Sequence, residues 1–559
     1  MKKTGAQIII DALRMHSIDT VTGIPGGSSL PLYDELTRSG IRHILARHEQ
    51  GAGFIAQGMA RVSGRAAVCL ATSGPGATNL VTAVADAKKD SIPMVAITGQ
   101  VPTSLIGTDA FQEIDTVAMM RPLAKAVFAV TEGSELIDIL PRAFTLAESG
   151  RQGPVVIDVP RDVQVEEVEI SRAPAPLQAA CPGIPDREAL HEMQQLIECS
   201  ERPVIFAGGG IISSGASGEL VELAHLQDIP VSLSLMGLGA FPADDDLYLG
   251  MLGMHGARYT NMIMEEVDLI IALGTRFDDR ATGRVRDFCP DAKVIHVDID
   301  PVEIDKIRKS HLHFQADVRT TLRHLLQIIE RKERPRWRKT IKGLRASHPL
   351  PNGPVENPFD PRTLIKSIAS FADRDAIITT DVGQHQMWTA QEYPFTIPRT
   401  FLTSGGLGTM GFGLPTAIGA ALAAPDRQVI CISGDGSIQM NIQEMALLAE
   451  LNLNVKVIIM NNASLGLVRQ QQKLFFDGNY SASSFNMPLD FAALGRNFGL
   501  RSISLHGSEE PMRDLANMIK TPGPCIIDIP VCPDEMVFPM VPPGGANKEM
   551  IDAMEVKKP

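Results

Sequence analysis

The chain alternates between two hydrophobic periods. Short, almost unbroken apolar runs (AAVCL, MVAITGQ, PVVIDVP, IFAGGGI, DLIIALG, VIHVDID) end in glycine or polar residues. Longer segments with helical spacing, such as GAGFIAQGMAR and TAIGAALAA, lie between runs of this kind. Two stretches rich in proline and charge interrupt the pattern. One is Ser171–Asp186 (SRAPAPLQAACPGIPD); the other runs about 331–361 and contains RKERPRWRK and HPLPNGPVENPFDP. The blocks left are 1–165, 190–330 and 362–545, which predicts an α/β protein of three doubly wound parallel-sheet domains. The first and third blocks begin alike. TGAQIIIDALRMHSIDTVTGIPGG and DPRTLIKSIASFADRDAIITTDVGQ both read as helix, short strand and glycine turn, a pointer to two similarly wound domains.

The clearest unit is 429–462. An apolar run, Val429–Ser433, turns at Gly434-Asp435-Gly436, passes through a helix-like segment, and closes on Val455–Met460 before Asn461-Asn462. Strand, turn, helix, strand is a βαβ unit, and in an open parallel sheet its two carboxyl ends lie side by side where ligands bind. Asp435 and Asn462 then offer a carboxylate and an amide oxygen to one point, hard ligands suited to Mg²⁺ bridging to a phosphate.

Other places admit both a functional and a structural reading. The turn Gly23–Gly27 permits close backbone approach but is also an ordinary strand-to-helix turn. Glu49, in Arg47–Ala52, opens an apolar helix and suits either catalysis or the helix dipole. Ala71–Asn79 (ATSGPGATN) is a glycine-rich turn with hydroxyls. Phe111 and Gln112, in Ile106–Glu113, line a pocket or sit on a solvent loop. Arg151 and Arg161 flank the strand RQGPVVIDVPRD. In the central block the three glycines of IFAGGGI follow a strand without completing the dinucleotide fingerprint. Arg276 and Asp298–Asp300 end strands, where they either hold phosphate and ribose or close turns. In the last block SGGLGTMGFGLP reads as a backbone-exposing loop carrying Met410.

Composition narrows the classes. The 559 residues carry a net charge of -13, which argues against nucleic acid or an anionic membrane surface as partner. No apolar run reaches the roughly 18 residues of a membrane span, and MKKTGAQIIIDALRMHS reads as an amphipathic helix, broken by Asp11 and Arg14, rather than a secretory signal. Cys69, Cys181, Cys199, Cys289, Cys431, Cys525 and Cys532 form no CxxC pair, which fits a reducing cytoplasm, and several sit in apolar strand-like runs that predict buried thiols.

GDG followed after 24 residues by NN resembles the thiamine diphosphate (ThDP) binding motif. Together with GIPGG, RHEQGA, SGPGATN, GTDAFQE, GRQGPV, RFDDR, DVGQHQMW and GGLGTMGFGLP, the chain is similar over nearly its whole length to the catalytic subunits of the acetohydroxyacid synthase (acetolactate synthase) family. The resemblance implies a pyrimidine-binding first domain, a Rossmann-like FAD domain and a diphosphate-binding third domain. It implies decarboxylation of pyruvate on ThDP and ligation of the two-carbon unit to pyruvate or 2-ketobutyrate, in branched-chain amino-acid synthesis. It assigns Mg²⁺ to Asp435, Asn462 and the Ser464 carbonyl. The diphosphate falls to Gly383, Gln384, His385, Gly436 and Ser437, and the cofactor's ring portion to Gly408 and Met410. Glu49 is the proton partner of the pyrimidine; Gly26, Phe111, Gln112 and Arg161 lie toward the substrate. Arg151, His255, Arg276, Asp298 and Asp317 fall in the FAD segments, with FAD in a non-redox role. The family pattern also implies a homodimer or dimer of dimers with shared active sites, and a regulatory small subunit.

Two departures from the family matter. Arg161 stands where many members have lysine, which keeps the charge and changes its geometry. Gln471 stands where most have a tryptophan linked to preference for 2-ketobutyrate. A methylene is worth only about 1–3 kcal/mol in a pocket, so losing that flat surface is expected to erase the preference, as in the bacterial isozyme I branch. Three rivals are a ThDP oxidase or decarboxylase, a nicotinamide dehydrogenase built on the central block, and an inactive paralogue. The incomplete glycine fingerprint speaks against the second; Glu49, Asp435 and Asn462 speak against the third.

Overall fold

Each of the three blocks closes its own six-stranded sheet, and every neighbouring pair of strands in the three sheets is parallel. The computed structural model describes residues 2–170, 173–177, 183, 185–349, 357–487 and 489–552. Part of the first linker, with Cys181, lies outside the described residues. Strands such as Val155–Ile157, Ile270–Leu273 and Val457–Ile459 are fully buried because helices cover both faces, which is why they read as unbroken apolar runs.

The first sheet runs Arg42–Leu45, Thr20–Gly23, Ala67–Ala71, Met94–Gln100, Pro154–Pro160, Ala126–Ala129. The third runs Phe401–Leu402, Ile377–Thr380, Val429–Gly434, Val455–Asn461, Cys525–Pro530, Arg501–Ser504. Numbered within each domain, both orders are 2-1-3-4-6-5, so the likeness of their opening segments reflects one winding used twice. The central sheet, Tyr248–Met251, Val231–Leu233, Pro203–Ala207, Leu269–Leu273, Lys293–Asp298, Leu312–Gln315, has the order 3-2-1-4-5-6 of a dinucleotide-binding fold.

The second linker is not wholly a linker. Pro335–Ser347 is a helix, with Trp337 and Ile341 buried in the central core and the Trp337 indole donating to the Pro203 carbonyl at 3.0 Å. Two apolar positions one turn apart suffice to dock a helix whose remaining faces are charged, and composition alone hides so narrow a stripe. Beyond its sheet, the third domain sends residues 531–552 back to the central domain. There Val541 N–H donates to Met254 and Asn547 to the Ala281 carbonyl.

The first and third domains meet through the helices Glu49–Ser63 and Gly413–Ala423, both rich in glycine and alanine. The backbones touch. A β-carbon on Gly419 would collide with the Ile55 carbonyl, and one on Gly58 with the Thr416 carbonyl. Overpacking of this kind costs about 1–3 kcal/mol. Gly419→Ala is therefore expected to lower the free energy of unfolding in urea by that amount. Gly343→Ala, a helical position with open space around it, serves as the control; equal stability of the two variants would refute the close contact.

Candidate active site

The third domain's winding reverses between Ile377–Thr380 and Val429–Gly434, and a cavity of about 160 Å³ opens past the carboxyl ends of these strands and of Val455–Asn461. Its walls include Val382–His385, Trp388, Gly408, Met410, Gly434–Ser437, Asn462 and Ser464–Val468. Two helices, Gln384–Glu392 and Gly466–Phe475, begin at its edge, which turns unpaired N–H groups toward it. His385 is buried with its Nε2 unpartnered, and burial drives its pKa down to about 3. Its free Nε2 is left to meet an incoming polar group.

Asp435 sits just past the strand Val429–Gly434, beside Asn462, whose backbone N–H lies 3.4 Å from Asp435 Oδ1. Asn462 Oδ1 in turn accepts from the Ser464 N–H at 3.1 Å and hydroxyl at 3.0 Å. Burial pushes Asp435 up to about 6, although N–H groups of Asn462, Gly436 and Ser464 favour its ionised form. A desolvated carboxylate of this kind is stabilised as an anion by a nearby cation. Among the described residues, no group of three or more His, Cys, Asp or Glu side chains gathers around any point, so a cation here has to take amide and backbone oxygens as well.

The loop carrying Gly408 and Met410 is held from both domains. Buried Asp381 accepts from the Gly411 N–H at 2.7 Å and from the Ser433 hydroxyl at 2.9 Å, and burial raises its pKa to about 6. From the first domain, Asp86 accepts from the Ser404 and Thr409 hydroxyls, and Asp90 from the Gly405 and Gly406 N–H groups. Arg61 lies against both carboxylates and over the Phe412 ring. Breaking such a buried, hydrogen-bonded pair by removing one partner is costly, so the loop is clamped where it meets the cavity.

The first-domain candidates assemble separately, past the ends of the strands Thr20–Gly23 and Ala67–Ala71. Glu49, first residue of its helix and 8% exposed, accepts from Asn79 at 2.9 Å. Gly26 packs on Thr72, and Gly74 on Gln112. Gln112 has a left-handed φ of 62°, a strained conformation for a non-glycine residue. Phe111 is 88% exposed, and Arg161 is exposed at the start of a short helix. None of Gly26, Glu49, Phe111, Gln112 and Arg161 lines the third-domain cavity of the same chain.

In the central domain, Gly208 and Gly210, two of the three glycines after Pro203–Ala207, pack directly on Gly274 at the sheet's own switch point. His255 is buried with Nδ1 unpartnered. Arg151 is paired with Asp300 and Glu303, Arg276 reaches the Lys89 carbonyl, and Asp298 is buried beside Asp300. Asp317 caps the helix Val318–Leu325. Gln471 is exposed on Gly466–Phe475, outside the cavity wall, one turn beyond Leu467 and Val468, which line it.

Sequence reading passed over Asp86, Asp90, Arg61 and Asp381, and also Glu444, which takes the Arg47 N–H on one oxygen and leaves the other unpartnered. Burial raises Glu444 to about 7. Asp381 opens the quoted motif DVGQHQMW and was within reach; the others carry no local signal.

Models of the thiamine pyrophosphate enzyme N-terminal, central and C-terminal domains match residues 3–119, 190–325 and 381–529. The large subunit of acetolactate synthase isozyme 1 from Escherichia coli K12 is 52% identical over 549 residues, 98% of this chain and 97% of that one. A probable acetolactate synthase large subunit of Methanocaldococcus jannaschii is 44% identical over 99% of this chain and 96% of its own length. The chloroplastic acetolactate synthase 1 of Zea mays is 42% identical over 98% and 89%. The chain thus belongs to the thiamine pyrophosphate enzymes, in the family of acetolactate synthase large subunits.

Proposed function

We propose that the chain decarboxylates pyruvate and joins the resulting two-carbon unit to a second pyruvate or to 2-ketobutyrate, a step of branched-chain amino-acid synthesis. The observation that carries this reading is a single cavity that unites two helix N-termini, the unpartnered Nε2 of His385 and the oxygens of Asp435 and Asn462. Helix starts suit a diphosphate, and the desolvated carboxylate with its amide neighbour suits Mg²⁺. In this reading Asp435, Asn462 and the Ser464 carbonyl hold the cation. Gly383, Gln384, His385, Gly436 and Ser437 hold the diphosphate, and Gly408 and Met410 bear against the ring portion. When bound, ThDP supplies the electron sink that decarboxylation of a 2-ketoacid requires.

Glu49 would share a proton with ring nitrogen N1′ of the pyrimidine, a role suited to a buried carboxyl whose partner is a single amide. Glu49 lies outside the cavity of its own chain, so a second copy completes the site, with Gly26, Phe111, Gln112 and Arg161 brought in from the same face. The exposed Phe111 then acquires a cover. FAD occupies the central switch point in a non-redox role, near Arg151, His255, Arg276, Asp298 and the helix capped by Asp317. His255 is buried with Nδ1 unpartnered, which suits a polar partner beside that side chain. A regulatory small subunit is inferred because relatives are named large subunits. The cytoplasm is inferred because all six described cysteines are free.

Acetolactate formation from pyruvate, with ThDP, Mg²⁺ and FAD omitted in turn, tests the activity: loss with either of the first two is expected, and acetaldehyde or acetyl phosphate as product would refute it. Sharing of the site has its own test. Glu49→Ala and Asp435→Ala chains, each inactive alone, should recover about a quarter of the parental rate after mixing and reassembly, because a two-fold heterodimer rebuilds one intact site. No recovery from mixed, demonstrably exchanged chains would place both residues in one chain's site.

Selectivity is read in competition between equimolar 2-ketoacids. The parent is expected to form the two products without strong preference. Gln471→Trp, extending the Leu467–Val468 wall by one turn, should raise acetohydroxybutyrate about tenfold, within the range of one methylene in a pocket. An unchanged product ratio would remove Gln471 from the substrate's surroundings.

A further inference from the structure

Asn462 can serve a cation only if its side-chain amide is turned the right way, since its two ends are nearly equal in shape and opposite in charge. The Ser464 N–H constrains that orientation at the oxygen end, and the structure ties the nitrogen end to a distant peptide. Gln470, one helical turn past Gly466 and only 2% exposed, pairs with the backbone of Val537 as a strand would. Its Nε2 donates to the Val537 carbonyl at 2.9 Å and its Oε1 accepts from the Val537 N–H at 2.8 Å. A peptide's donor and acceptor cannot exchange places, so this pairing fixes which end of Gln470 is which.

The direction then propagates. Gln470 Oε1 accepts from Gln384 Nε2 at 3.1 Å, and the same nitrogen donates to the Glu535 carbonyl at 2.8 Å. Gln384 is thereby left with its oxygen facing Asn462, whose Nδ2 donates to it at 3.2 Å. Asn462 Oδ1 is turned the other way, toward the Ser464 N–H and hydroxyl, while the Asn462 backbone N–H faces Asp435 Oδ1. Gly466 makes room for the last link, since a β-carbon there would collide with both Gln384 Oε1 and Asn462 Nδ2.

We propose that Gln470 is a positioning residue for the divalent cation. Through Gln384 it transmits the polarity of the Val537 peptide to Asn462 and keeps Oδ1, not the NH₂ group, directed at the metal position. The inference rests on Asn462 being a cation ligand, as proposed above. It also gives the segment 531–552 a part in the site, because its peptide is where the chain of amides starts. Outer partners that orient a ligand typically govern affinity by about 10- to 100-fold.

The test is Mn²⁺ binding to the full-length protein with saturating ThDP, followed by the electron paramagnetic resonance of free Mn²⁺, beside thermal unfolding of the same samples. Asn462→Ala probes the underlying assignment, and unchanged Mn²⁺ affinity in that variant would remove Asn462 from the ligand set. With that ligand established, Gln470→Met is expected to weaken Mn²⁺ about tenfold without changing ThDP affinity measured at saturating Mn²⁺. Gly466→Ala, whose β-carbon would press on Gln384 Oε1 and Asn462 Nδ2 alike, breaks the Gln384–Asn462 link, and Gln470→Leu stands in should Gln470→Met fail to fold. A merely structural Gln470 would lower the melting temperature and leave the Mn²⁺ midpoint in place. Folded Gln470→Met and Gly466→Ala proteins with Mn²⁺ midpoints within about twofold of the parent would overturn the proposal, since an outer partner that orients a ligand moves affinity further than that.

Discussion

The helix Glu49–Ser63 lies so close to Gly413–Ala423 that carbonyl groups of each occupy the space a β-carbon would need on the other. Much of the site depends on this contact. Near one end of the first helix, Arg61 and the carboxylates of Asp86 and Asp90 grip Ser404, Gly405, Gly406 and Thr409, and so hold the loop that brings Met410 to the cavity. At the other end stands Glu49, with Arg47 anchored to Glu444 of the third domain. Alanine favours a helix and glycine disfavours it, so the glycines here reflect the distance of approach rather than helix propensity.

Two copies of one sheet order stand on either side of that contact, each with its crevice past the first and third strands. Similar windings yield similar crevices but unlike chemistry. The third domain presents helix starts, a neutral histidine and hard oxygens; the first presents a single buried carboxyl among glycines and hydroxyls. The two crevices do not share a cavity within one chain. In the proposed mechanism a cofactor long enough to need both is served by a second copy, and for that reason assembly and activity are linked.

Much of this was legible before any coordinates. The βαβ unit around Asp435 and Asn462, the three domains and the Met410 loop follow from apolar period, turn residues and short-range spacing. The helix Pro335–Ser347 escaped because its anchoring side chains, Trp337 and Ile341, are outnumbered by charges. The clamp of Asp86, Asp90 and Arg61 escaped for another reason: its partners lie more than 300 residues away in the chain, and nothing near VTAVADAKKD announces them. Gln471 attracted notice through family resemblance, whereas its neighbour Gln470, buried and fully paired, carries the hydrogen bonds. Adjacent residues on a helix point in different directions, and a sequence does not say which one faces inward until the helix is docked.

That ThDP binds past the strand ends of the third domain can be measured through the two tryptophans of the chain. Trp388 lines the cavity, while Trp337 is locked in the central core. Addition of ThDP with Mg²⁺ to the apoprotein is predicted to change the tryptophan emission, a change that Trp388→Phe abolishes and Trp337→Phe preserves. The same change persisting in Trp388→Phe protein would contradict this placement of the cofactor.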